Sequence, residues 1–180
     1  NLSLKEFGIY TGFIIILGYF NQLGRFGMME YLARKISILE KKNQTKILYQ
    51  IWFYMLITIP IAALFSLPFF TYKIINWNYF IYFITLLFLG CFSLQLENFA
   101  IATRRALVAT FDVTLRNIWI PILIILKILF GINYSLNTIF AMMILSEFLS
   151  IIYILKRNEV IKINPHKFYK FDFDLFKNTI

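Results

Sequence analysis

Among the side chains that carry charge or strong hydrogen-bonding groups inside otherwise apolar runs, Asn21, Gln22, Arg25, Glu97, Lys127 and Glu147 stand out. The first three belong to one pattern. Thr11, Gly18, Asn21, Gln22 and Arg25 fall within an arc of roughly 100° on a helix turning about 100° per residue, the spacing of a single face. Amides and a guanidinium on one wall can bond to neighbouring helices or line a hydrated cavity. Arg25 is also close enough to the end of its apolar run for its long side chain to reach a headgroup layer. Snorkelling accounts for Arg25 but leaves Asn21 and Gln22 unexplained, so cavity lining is the expected role.

Glu97, Lys127 and Glu147 sit singly in three later apolar runs, and Glu147 shares a face with Met143, Ser146 and Ser150. Ionisable groups at such positions either pair with one another or serve an ion or substrate path. The pairs expected by depth are Arg25 with Glu97 and Lys127 with Glu147. Enzyme chemistry is poorly represented. Asp172 and Asp174 in FDFD form a D-x-D that a glycosyltransferase would use on a divalent ion, but the alternating Phe reads better as an amphipathic segment on a membrane face. No Ser/His/Asp set, glycine-rich phosphate loop or Cys/His cluster stands in the sequence. His166 and Cys91 are each single; Cys91 is expected as a small packing residue. The chain is therefore not expected to be an enzyme, to carry a cofactor or to hold a metal.

These residues have to be positioned by the elements around them. Of the 180 residues 60% are hydrophobic, 21 are Phe and 11 are Tyr, and mean hydropathy is strongly positive. Such a chain has too little polar surface to cover a water-soluble globule. An all-α, polytopic transmembrane bundle is the expected fold, one partial membrane domain over 1–180. Five runs reach the roughly 20 residues that a helix needs to cross hydrocarbon: near 7–29, 47–70, 79–101, 117–134 and 137–155. Pro60, Pro68 and Pro121 are expected to kink them.

The net charge of +9 is explained by topology rather than by nucleic acid. The 31–46 loop holds Arg34, Lys35, Lys41, Lys42 and Lys46; the 102–116 loop holds Arg104, Arg105 and Arg116; the 156–180 tail holds Lys156, Arg157, Lys162, Lys167, Lys170 and Lys177. The alternate loops carry only Lys5 and Lys73. The positive-inside bias then puts the basic loops and the amphipathic tail in the cytoplasm. Asn1 would lie outside with no signal peptide before it, so a further transmembrane helix is expected upstream, and a further portion downstream.

Specific residues also carry a family resemblance. LSLKEFGIYTGF, followed by LG-x-x-G before EYLARK, resembles the second helix and next cytoplasmic loop of polysaccharide flippases, the lipid-linked oligosaccharide branch of the multidrug/oligosaccharidyl-lipid/polysaccharide exporter superfamily. Glu6, Phe7, Gly8 and Tyr10 stand for that family's acidic-aromatic-Gly-aromatic opening, with Ile9 intervening, and Arg34 for its loop arginine. ATRRALVATFDVTLRNIWIP is similar to the link between the family's fourth and fifth helices, and FDFDLFKNTI to the approach to its seventh. The resemblance implies that the chain supplies helices two to six, most of one of two pseudo-symmetric lobes around a cavity. It further implies an inner-membrane protein that moves an undecaprenyl-pyrophosphate-linked oligosaccharide outward for O-antigen, capsule or exopolysaccharide synthesis. Its partners would be membrane lipid, that substrate and polysaccharide polymerase or assembly proteins, and not nucleic acid. Arg25, helped by Asn21, Gln22 and Lys127, would then offset the dianionic headgroup, and Glu97 or Glu147 would take a coupling proton or sodium ion. A multidrug or cation exporter of the same superfamily, or a membrane polymerase or glycosyltransferase of the same pathway, is the alternative.

Overall fold

A computed structural model describes residues 3–25, 36 and 41–157. Among them the chain is all helix and turn. In order come α1 (Leu4–Arg25), α2 (Lys41–Thr71), a 3-10 turn (Trp77–Tyr79), α3 (Phe80–Ala102), α4 (Ala106–Asn117), α5 (Trp119–Phe130) and α6 (Leu136–Arg157). Four stretches are long and apolar enough to cross a membrane: α1, Ile47–Thr71 within α2, Trp77–Ala102 and α6; the bent pair α4 and α5 makes a fifth if it is one span. The chain is thus a multi-pass membrane protein built as a helical bundle. Its outer surface agrees with that environment: Phe65 and Ile128 are 68% and 76% exposed, and a water-soluble protein would not scatter so many large apolar side chains outward.

Local sequence sets the helix limits. At the start of α1 the Ser3 hydroxyl receives the Glu6 backbone N–H at 3.2 Å, and the Glu6 carboxylate receives the Ser3 N–H at 2.8 Å. That reciprocal pair satisfies donors the first turn cannot use internally. α2 runs unbroken through Pro60 and Pro68. α3 ends with the Arg105 N–H on the Ala100 carbonyl at 2.8 Å, with Arg104 in the left-handed region at φ 60°. This is a Schellman-type ending with arginine where glycine is the usual residue. α5 ends with Gly131 itself, at φ 64°.

The fourth expected span is where the structure departs from the sequence reading. Most of the 102–116 segment, expected as a basic cytoplasmic loop, belongs to α4, which packs against α3 and α6. The helix axis then bends by 40° at Ile118 before α5 begins. Pro121 supplies the physical reason: lacking an N–H, it cannot bond the carbonyl of Asn117 four residues back, so the helix loses its continuity there. α5 stops at Phe130 rather than 134. The 31–46 loop also narrows, because α2 already begins at Lys41. Residues 26–29 of the first expected span, Arg34, and the tail with His166, Asp172 and Asp174 lie outside the described residues.

The core divides along the bundle axis. Toward the end where α1 starts it is aromatic: Phe13 stacks on Phe140 at 4.2 Å and meets Phe83 edge-on at 5.7 Å, so α1, α3 and α6 converge on three rings. Toward the other end, where Arg104 and Arg105 follow α3 and α6 finishes in Lys156 and Arg157, it becomes polar.

Candidate functional site

Two polar regions occupy that second half. The first is the end of α1. Thr11, Gly18 and Gln22 are exposed along one wall, while Phe13, Leu17, Phe20 and Gly24 form the buried side. Asn21 and Arg25 stand at the margin between the two. Arg25 is buried, with its Nε donating to the Asn21 carbonyl at 3.2 Å. The Asn21 amide lies over Gly90 of α3, where a Cβ would come within 3.0 Å of its nitrogen, and its Oδ1 receives the Cys91 thiol at 3.4 Å. Cys91 thus serves as the packing residue its small size implied. Gly24 allows the same closeness: a Cβ there would meet Cys91 Sγ at 2.9 Å, and the Gly24 carbonyl accepts the Thr58 hydroxyl of α2 at 2.5 Å. The five-residue face expected from spacing is therefore split. Part of it locks α1 against α3, and the rest looks outward.

The second region lies between α3, α4 and α6. Glu97 of α3 forms an ion pair with Arg116 of α4. The same guanidinium approaches Asp112, one turn earlier on α4, at 3.3 Å. Asp112 is wholly buried and accepts the Ser150 hydroxyl of α6. Ser146, one turn before Ser150, donates to the Arg116 carbonyl at 3.0 Å, beside the bend at Ile118. Glu147 accepts the Ser93 hydroxyl of α3 at 2.5 Å. Around these groups opens a cavity of about 330 Å³ lined by Glu97, Arg116, Asn117, Trp119, Ser146 and Glu147, with Val113 and Met143 completing its wall.

The expected pairs are accordingly replaced. Glu97 takes Arg116 as its ion-pair partner, with Arg25 acting on it only as a more distant charge. Glu147 takes a serine hydroxyl, and Lys127 is half-buried on α5, eight residues beyond Trp119, or about 12 Å along the helix. Asp112 and Ser93 are cluster members without a role in the sequence reading, and Arg116, expected as a loop cation, lies inside the cluster with Asp112. The separation of Asp112 and Arg116 by four residues with opposite charge was the signal, since such residues are neighbours on one helix face. The serines of α6 were grouped with Glu147 by periodicity, and that face is the one turned toward α4.

Chemically the two regions have opposite sign. The cluster sets three carboxyls, Glu97, Asp112 and Glu147, against one guanidinium, an excess that low-dielectric surroundings tolerate only with protons or another cation. The α1 margin presents a guanidinium and amides. No group of three or more His, Cys, Asp and Glu side chains among the described residues has a geometry suited to a metal ion. No protein-family profile, curated protein or solved structure matches this chain.

Proposed function

We propose that the chain belongs to a transporter that carries a lipid-linked oligosaccharide with a pyrophosphate headgroup across the cytoplasmic membrane, its basic end facing the cytoplasm. The observation that carries this reading is the uncovered wall of α1. Thr11, Gly18 and Gln22 face outward from a bundle whose remaining exterior is largely apolar, and Arg25 closes the wall. A membrane helix that turns an amide outward, here that of Gln22, needs something other than hydrocarbon against it. A hydrated passage for an anionic headgroup meets that need, and the flippase resemblance of LSLKEFGIYTGF points the same way. In this reading Arg25 meets the headgroup, Gln22 and Asn21 assist, and the acidic cavity holds the coupling ion.

The test uses the full-length protein in vesicles. Arg25→Ala is expected to reduce translocation of a fluorescent lipid-linked oligosaccharide by an order of magnitude or more; unchanged translocation would sink the headgroup role. Cysteines placed at 18 and 22 should react with a water-borne thiol reagent, and one at 128, on the apolar exterior, should not.

A second reading is favoured by the cavity. Two carboxyls, Glu97 and Glu147, and the Trp119 ring on the cavity wall suit an organic cation, which is what a drug or cation exporter of the same superfamily would carry. If Glu147→Gln abolishes export of a lipophilic cation while Arg25→Ala leaves that export intact, the cavity is the substrate site and the flippase reading gives way.

A further inference from the structure

The acidic cavity contains its own cation. Arg116 reaches Glu97 across the helix interface and Asp112 along its own helix, so two of the three carboxyls already face a fixed positive charge. Glu147 differs from both. It borders the open volume, and its carboxylate accepts a hydrogen bond from a neutral hydroxyl, that of Ser93. A hard metal cation needs several oxygen ligands at once, carboxylates among them. Here the Arg116 guanidinium lies against one carboxylate oxygen of Glu97 and one of Asp112, so a fixed positive charge already stands where such an ion would gather its ligands. A proton needs only one oxygen.

We propose that Arg116 is the specificity-determining residue of this cavity: standing as a permanent cation between Glu97 and Asp112, it leaves a proton, taken up and released at Glu147, as the exchangeable ion. The inference rests on the reading of the cavity as the ion-coupling site.

Two details supply a mechanism. The Arg116 Nε is buried and makes no hydrogen bond, so the guanidinium retains donor capacity. When Glu147 gives up its proton, the new carboxylate competes for that guanidinium with Glu97 and Asp112. Arg116 also precedes the bend at Ile118 by two residues, and its carbonyl is held by Ser146, the neighbour of Glu147 on α6. A shift of the guanidinium is thereby transmitted to the hinge between α4 and α5, and Trp119 lies immediately past that hinge on the cavity wall. The charged groups acting here are Glu97 from α3, Asp112 and Arg116 from α4 and, more distantly, Arg25 from α1; the charged residue of α5 is Lys127, about 12 Å beyond Trp119.

Trp119 fluorescence tests this without any lipid-linked substrate. The signal is the difference in emission between reconstituted full-length protein and its Trp119→Phe variant, followed between about pH 4 and 9 and in sodium against choline at constant ionic strength. The expected result is a single pH transition in Trp119 emission that sodium does not move and that Glu147→Gln removes. Arg116→Gln, which frees the oxygens of Glu97 and Asp112, should gain a saturable response to sodium. Arg116→Lys, which keeps the cation, should stay sodium-silent, and it decides the matter if Arg116→Gln does not fold. A saturable sodium response in the unmodified protein or in Arg116→Lys overturns the proposal, as does a folded Arg116→Gln that ignores sodium. Since no oligosaccharide enters the measurement, its failure leaves the Arg25 test of the flippase reading standing by itself.

Discussion

The outward wall of α1 and the cluster between α3, α4 and α6 lie in the same half of the bundle, yet they treat polarity in opposite ways. In the cluster every charged group is drawn in toward the others: Arg116 retains 11% side-chain exposure, Glu97 18% and Asp112 none. Along α1, Thr11, Gly18 and Gln22 stay open, and only Asn21 and Arg25 are folded against α3 and its Gly90. The difference teaches where stability ends and function begins in such a protein. Paired charges inside the bundle hold three helices at fixed register. On the exterior the Thr11 hydroxyl is satisfied by the Phe7 carbonyl at 2.9 Å, but the Gln22 amide adds nothing to the bundle and persists only if something outside it is to be met.

The comparison breaks most visibly at Arg116. Replacing it with Met removes the cation that two buried carboxylates share, and stranding buried charge in this way costs about 3–5 kcal/mol. Arg116→Met should therefore lower the midpoint of thermal unfolding in detergent sharply. The triple variant Arg116→Met, Glu97→Gln, Asp112→Asn should recover most of the loss, because it removes the stranded charges along with their partner. A triple variant as unstable as the single one would show that Arg116 acts through packing rather than charge.

A smaller effect is expected at Gly24, on the boundary between the two regions. Gly24→Ala places a methyl 2.9 Å from Cys91 Sγ and 3.6 Å from Ile59 in a three-helix contact. Overpacking of this kind costs roughly 1–3 kcal/mol. The variant Gly24→Ala with Cys91→Ala should regain part of that, since the sulfur is the nearest obstacle. Loss of stability at Gly24 would also weaken transport, by displacing Arg25 next to it.

How far the molecule could be read from its sequence depended on whether a segment's charges were counted or paired. α1, α2, α3 and α6 announce themselves as apolar runs of membrane length, and the structure contains each within a few residues of the expected limits. α4 does not, because RRALVATFDVTLR shows three arginines and reads as a loop when cations are tallied by position. Inside the bundle, however, Arg116 is cancelled by Asp112 and Glu97, so it leaves the tally of loop charges and joins the core. The kink expected from Pro121 is present as the 40° bend at Ile118, and the proline itself stands in the first turn of α5, where a missing N–H is cheap. The serines of α6 and the wall of α1 were legible from helical periodicity. Which of those faces turned inward was not, since periodicity gives a direction around one helix and no information about its neighbours.

The mildest substitution bears most directly on function. Gln22 is exposed and lies one residue past Asn21 on the wall that the bundle leaves uncovered. Surface changes away from packed or paired groups usually alter stability by no more than about 0.5 kcal/mol, so Gln22→Leu should unfold at the same temperature as the unmodified protein. In hydrocarbon, replacing an exposed amide by leucine is favourable, and a merely lipid-facing wall would therefore yield a slightly more stable protein with unaltered transport. In a hydrated passage the same leucine removes a hydrogen-bonding group from the path of the headgroup, and translocation should fall several-fold at unchanged stability. Measuring melting and translocation on this one variant thus separates the two environments for α1, and a stabilised, fully active Gln22→Leu would assign the wall to lipid.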